Sequence, residues 1–137
     1  MSNLEECIAS LLEVFKVMDV KYDQLQENLF SFATSGDNVK GVRYFIDFDE
    51  DGHSVNISGM DIASFGDKLA QGFVVANRLN HQYRWIKFII HDDGNIITQN
   101  DAVIEPGTAG KEIMELIARN MHILDNVYPE IMKEIWG

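Results

Sequence analysis

One cysteine, two prolines and half as many basic as acidic side chains are the shortages of this 137-residue chain. Cys7 has no second thiol to pair with, so no internal disulfide staples the fold, and a chain of this size can instead bury roughly two thirds of its unfolded surface in one core. The thiol falls among apolar helical positions, and Glu5 and Glu6 beside it disfavour a thiolate, so it reads as a small buried hydrophobe and not as a nucleophile. The opening MSNLEECIASLL has no basic segment and carries two glutamates ahead of its apolar residues, unlike a secretory leader. No apolar run approaches the roughly 20 residues that cross a bilayer; FVVA and WIKFIIH have strand or short-helix length. These absences set the expectation of a cytoplasmic protein. Its 22 acidic and 11 basic side chains leave a formal charge of -11. A field of that sign repels phosphate backbones and anionic lipids, which argues against nucleic acid and membrane as partners. The basic group Arg78, His81, Arg84 and Lys87 is the one local exception, and it also fits a solvated helix-to-strand junction.

What is present is periodicity. Leu4, Cys7, Ile8, Leu11, Leu12, Phe15 and Met18 recur at helical spacing, and Ser2 with Glu5 three places on fits a capping box. A strand is expected around residues 28–34, closed by Ser35, Gly36, Asp37 and Asn38. Val42, Tyr44, Ile46 and Phe48 alternate, Asp51-Gly52 supplies a turn, and Val55 and Ile57 resume the alternation, which predicts a β-hairpin with one buried face. Over residues 62–79 the period changes: Phe65, Leu69, Phe73, Ala76 and Leu79 line one helical face, with Gly66 and Gly72 tolerated for close packing. A second hairpin turns at Asp93-Gly94. Its first strand places Trp85, Lys87, Ile89 and His91 on one face and Ile86, Phe88 and Ile90 on the other, which suggests a central strand. After Glu105-Pro106-Gly107, Thr108 is a candidate cap for a last helix whose apolar face runs Ile113, Leu116, Ile117, Met121, Leu124 and Val127. Pro129 is expected to interrupt it and to open a short second piece. The predicted order is α-β-β-β-α-β-β-α, an α+β fold in which helices cover an antiparallel sheet, as a single domain over residues 1–137.

Few residues carry the signature of chemistry. Asp47, Asp49 and Asp51 alternate ahead of Gly52 like the first half of a calcium loop, but the twelfth position is Ser58 where a bidentate glutamate is needed, and the flanks read as strands. His53 and His91 lie beside carboxylates at the two hairpin tips, which folding could bring together, though exposed turns seldom hold a metal. Cys7 lacks a neighbouring base, no Gly-x-Ser-x-Gly elbow surrounds any serine, and Gly107-x-x-Gly110-Lys111 lacks the rest of a phosphate loop. Neither catalytic residues, a metal site nor a cofactor is expected. The aromatics Phe45, Phe48, Phe65, Phe73, Phe88 and Trp85 sit at periodic positions and read as core. The last helix has a second stripe, and Met114, Met121, Met132 and Trp136 along it either join the core or form an adaptable partner surface.

The segment 75–126 resembles the YbjN family of bacterial sensory transduction regulators, whose fold is similar to that of type III secretion chaperones. The resemblance rests on Asn77-Arg78-Leu79-Asn80 closing the middle helix, on Arg84, Trp85, Lys87 and Phe88 opening the next strand, on the Asp92-Asp93-Gly94 turn and on Gly107. Upstream, the first helix and the Asp51-Gly52 hairpin also resemble the family. The resemblance implies a homodimer that holds or regulates another protein and implies no catalytic residue. Asn77, Asn80, Arg84, Trp85, Asp93 and Gly94 occupy family-like positions, and the asparagines read as structural: one caps the helix end while its amide ties the following loop to strand backbone. The expectation is a non-enzymatic protein-binding adaptor or chaperone-like regulator of an unknown client. The alternative is a small-ligand sensor with an apolar pocket between helices and sheet.

Overall fold

The computed structural model describes all of residues 1–137. Its elements are α1 (Asn3–Met18), β1 (Asp23–Gln26), β2 (Leu29–Thr34), β3 (Val42–Phe48), β4 (Ser54–Ser64), α2 (Leu69–Gln82), β5 (Lys87–Ile90), β6 (Asn95–Val103) and α3 (Ala109–Trp136). The six strands form one antiparallel sheet in the order β1-β2-β3-β4-β6-β5. This is the expected α+β architecture with one strand more before α2, the short, wholly exposed β1.

The alternation read from the sequence sorts the sheet's side chains. Phe30 and Phe32 of β2, Tyr44, Ile46 and Phe48 of β3, and Val55 and Ile57 of β4 join residues of all three helices in a single core. Leu29, Phe45, Asp47, Met60 and Asp101 lie outside that core, on the side turned away from the helices. Helix α1 starts as its sequence predicts. The Glu5 amide donates to Ser2 Oγ (3.1 Å) and the Ser2 amide to Glu5 Oε1 (3.2 Å), a complete capping box, and Cys7, Leu11 and Phe15 are buried behind it.

Four expectations change. Strand β4 continues to Ser64 through an irregularity between Gly59 and Ala63, where Asp61 takes a φ of 62°. Residues 62–64 therefore extend the sheet, Gly66 (φ 59°) makes the turn, and α2 begins only at Leu69. With the helix starting later, its inner face becomes Gly72, Val75, Ala76 and Leu79, and Phe73 is exposed. Gly72 is interior because a Cβ there would press on Phe65 Cγ at 3.2 Å and Ile90 Cδ1 at 3.3 Å. Strand β5 is an edge and not a central strand; hydrophobes on both its faces reflect α2 packing alongside it. Trp85 and Phe45, both expected in the core, lie outside it: Trp85 is exposed, and the alternation that buries Tyr44 and Ile46 turns Phe45 to the other face of the sheet.

The fourth change concerns Pro129, which lies inside an unbroken α3 of 28 residues. An interior proline removes the hydrogen bond to the carbonyl four residues earlier and costs about 3 kcal/mol. That carbonyl belongs to Asp125, and Asn38 Nδ2 donates to it (3.1 Å) in place of the missing amide. The Asp125 carboxylate in turn accepts the backbone amides of Asp37 (3.1 Å), Asn38 (2.7 Å) and Val39 (2.9 Å). The turn formers at 35–38 thus clasp α3 where proline would break it. Thr108 stands at the head of this helix, but its hydroxyl donates to Glu112 Oε1 (2.6 Å) instead of capping an amide.

Amide donation holds the Asp125 carboxyl below the usual range, chiefly from Val39 and Asn38. Backbone and side-chain hydrogen bonds from Ser2 do the same to Glu5, and Asn95 to Asp93. At Asp49 desolvation pushes upward but is outweighed by the amides of Ser54 and His53. A depressed folded-state pKa contributes stability above the unfolded value, about 4, and that contribution is lost as pH falls through the folded value. The melting temperature is therefore expected to drop below about pH 4, and Asp125→Asn to flatten that drop; an unchanged acid slope in Asp125→Asn would remove Asp125 from the account.

Candidate functional site

The Asp47, Asp49 and Asp51 series does not converge. Asp49 turns inward to its own hairpin, accepting the amides of His53 (2.9 Å) and Ser54 (3.2 Å), while the exposed Asp47 meets Asn28 Nδ2 (3.3 Å). The tip then docks on the head of α1: Gly52, at a φ of 72°, leaves no room for a Cβ against the Leu4 backbone, and its carbonyl accepts from Asn3 Nδ2 (2.7 Å) and Cys7 Sγ (3.4 Å). No group of three or more His, Cys, Asp or Glu side chains is placed to hold a metal ion. His53 and His91 stay apart, because β4 pairs with β6 from Ser54↔Val103 to Ser64↔Asn95 and carries the two hairpin tips to opposite ends of the sheet.

Burial and the charge of Glu6 push the Cys7 thiol up, away from thiolate chemistry. Burial likewise pushes the Tyr44 hydroxyl well above its ordinary range, and that hydroxyl donates to Asn120 Oδ1 at 2.7 Å. Asn120 is completely buried on α3, and its Nδ2 reaches Thr98 Oγ1 (3.0 Å) and Asn100 Oδ1 (2.7 Å) on β6. This network joins helix to sheet; sequence periodicity passed over it because each member occupies a position that alternation alone assigns to the core.

The two free edges of the sheet are treated unequally. On β5, Asn80 lies within the last turn of α2, and its side-chain amide acts as a peptide group: Oδ1 accepts the Phe88 amide (2.7 Å) and Nδ2 donates to the Phe88 carbonyl (3.0 Å). The expected tie from asparagine to strand backbone is thus made, although the helix runs on to Gln82 and ends at an extended Tyr83 with no left-handed cap. Asn77 is exposed, Arg84 is exposed in the link to β5, and Asp93 and Gly94 form the β5–β6 turn, where Asp93 Oδ1 accepts the Asn95 amide (3.0 Å) and Gly94 (φ 89°) abuts Gly66.

The opposite edge, β1, has no such cover. Val17 and Met18 at the end of α1, Tyr22 ahead of the strand and Leu25 within it are all exposed large hydrophobics. Tyr22 rests on Phe15 (ring centroids 5.0 Å apart) and on Phe30 (6.0 Å), so the patch is continuous with the core. A groove of about 590 Å³ runs beside it, lined by Leu12, Phe15, Lys16, Val20 and Tyr22 among others. On α3, Met114 and Met121 are half-buried against the core, Met132 is half-buried, and Trp136 is 79% exposed. No helix is long and apolar enough to cross a membrane.

Comparison with known proteins follows the same lines. The YbjN model, described as "Putative bacterial sensory transduction regulator", matches residues 8–133. A chain from the crystal structure of the ExsC-ExsE complex superposes with a TM-score of 0.66 at 12% sequence identity, covering 94% of this chain and 96% of that one. At such identity the likeness is one of fold, an antiparallel sheet flanked by helices in the same arrangement. Among curated proteins, none matches. With the match running through all three helices and the whole sheet, the chain belongs to the YbjN family.

Proposed function

We propose that this protein is a non-enzymatic, chaperone-like adaptor that holds an extended segment of another protein along β1. The observation that carries this reading is the asymmetry of the edges: one is bonded at Phe88 by Asn80 and packed by α2, the other lies beside the exposed Val17, Met18, Tyr22 and Leu25. An open edge flanked by apolar side chains suits strand addition, in which main-chain hydrogen bonds give affinity and side-chain contacts give selectivity. The formal charge of -11 favours a client segment that is basic and carries apolar residues at alternate positions. The shifted carboxylates support a non-catalytic role, since hydrogen bonds from capping or turn groups account for the lowering of each. A homodimer, implied by the family resemblance, belongs to the same reading. The similar fold in the ExsC-ExsE complex supports it as a scaffold able to take part in a protein complex.

The test is affinity purification of the tagged protein from its own cells, with mass spectrometry and light scattering of the eluate. One partner at fixed stoichiometry on a dimer is expected. Its recovery should fall more than about tenfold with Leu25→Asp or Val17→Asp, substitutions at exposed positions that cost the fold about 0.5 kcal/mol or less. It should persist with Trp136→Asp. Loss only with Trp136→Asp would move the surface to the end of α3, and a homodimer that carries no protein would sink the reading.

A further inference from the structure

Trp85 is the least expected residue in the molecule. It takes a φ of 75°, a left-handed conformation that bulky side chains rarely adopt, and it remains 56% exposed, so no core burial compensates the strain. Strain of this kind persists where the surroundings over-determine it, and it concentrates at binding sites. Two places from Lys87 in sequence, Trp85 would share the face of Lys87 and Ile89, turned away from the helices, if β5 simply continued. Instead its ring lies beneath the Arg119 guanidinium of α3, 5.2 Å from the ring centroid, and Arg119 is itself held by Glu115 (3.1 Å).

The ring forms a wall common to two adjoining grooves. One, of about 400 Å³, runs along Glu115, Ala118, Arg119, His122 and Ile123 of α3. The other, of about 340 Å³, is lined by Ile86, Lys87, Leu116, Asn100 and Asp101. Asn100 is only 5% exposed; its Oδ1 accepts from Asn120, but its Nδ2 has no hydrogen-bond acceptor in the protein. A buried amide donor without a partner is uncommon, because it forfeits its hydration without replacement. Here it borders a groove that also holds a flat aromatic wall and an exposed lysine.

We infer that the corner between Trp85, Leu116 and Asn100 binds a small planar molecule bearing a carbonyl or carboxylate, with the plane stacked on the Trp85 indole and the acceptor oxygen directed to Asn100 Nδ2. Lys87 and Asp101 in this groove offset one another and Arg119 is paired with Glu115, so in a chain of formal charge -11 a neutral carbonyl is favoured over a carboxylate. The site is separate from the β1 edge and stands whether or not that edge takes a client.

Benzoate and benzamide are suitable probes, titrated into the full chain while the side-chain NH₂ resonances of Asn100 are followed by ¹⁵N NMR. Saturable binding with a Kd of about 1 mM or tighter is expected, with benzamide the stronger and the Asn100 resonances among the most shifted. Trp85→Gly and Trp85→Asn both suit positive φ and both remove the wall, so each should weaken binding at least about tenfold while leaving the melting temperature unchanged or higher. A shift that never saturates, binding that leaves Asn100 unmoved, or an Asn100 amide that contacts only a buried water would overturn the assignment. So would a fall of more than about 6 °C in both variants, which would make Trp85 a structural clasp.

Discussion

Replacing Asn120 by alanine is expected to destabilise the fold by about 3–5 kcal/mol, more than any other side-chain truncation outside the large hydrophobes. Two costs add. The substitution opens a void in a position with no exposure, and it orphans the Tyr44 hydroxyl, Thr98 Oγ1 and Asn100 Oδ1, all buried and all directed at the lost amide. An unpaired buried polar group costs about 1–3 kcal/mol by itself, so even partial relaxation of the three partners leaves a large deficit. Tyr44→Phe removes one donor but leaves Asn120 Oδ1 within reach of Thr98 Oγ1 (3.3 Å), and should cost only about 1 kcal/mol. Urea unfolding of the two single variants and the double variant measures both effects and their coupling. Strongly non-additive losses are expected. A cost below about 1 kcal/mol for Asn120→Ala would mean that the network adds nothing beyond its packing.

Gly110→Ala is the second, and its sign is the point. Helix propensity alone predicts a gain of about 1 kcal/mol, because Gly110 lies within the first turn of α3 and alanine is the better helix former. Packing predicts the reverse. A Cβ on Gly110 would run into the Ser10 carbonyl, with its oxygen nearest and its carbon at 2.8 Å, and would meet Val14 Cγ2 at 2.8 Å. The obstacle is the backbone of α1, which cannot turn aside as a side chain can, and the Gly110 amide is also tied to Ser10 Oγ (2.9 Å). Separating α1 from α3 to admit the methyl group should cost about 2–4 kcal/mol, read as a fall of roughly 7–14 °C in melting temperature. A rise in melting temperature would show that the two helices have room to spare.

The parts of the fold that were legible in the sequence are those governed by one local rule. The capping box at Ser2 and Glu5, the alternation of Tyr44, Ile46 and Phe48 and the turns at Gly52 and Gly94 each follow from a few neighbouring residues. The misread parts depend on distant partners. Nothing near Pro129 announces that Asn38, almost a hundred residues earlier, supplies the hydrogen bond that keeps α3 whole. Residues 62–64 carry helical periodicity together with Phe65, yet pairing with β6 claims them for the sheet. The open edge at β1 was not legible either, since its strand has no buried face to leave a pattern. Asn80 was legible in part: its residue type suggested a tie to strand backbone, and only the folded chain identified Phe88 as the backbone it holds.

The contact between Ser10 and Gly110 also bears on the order in which the molecule can assemble. During synthesis from the amino end, α1 and the β2–β3–β4 meander leave the ribosome well before the helix that completes the cover over the sheet's apolar face. Local hairpins close within microseconds, but α1 must wait for a segment a hundred positions downstream, at a translation rate of roughly 5–20 residues per second. For several seconds the nascent protein exposes Tyr44, Ile46 and Ile57, and its own apolar sheet face is then without cover.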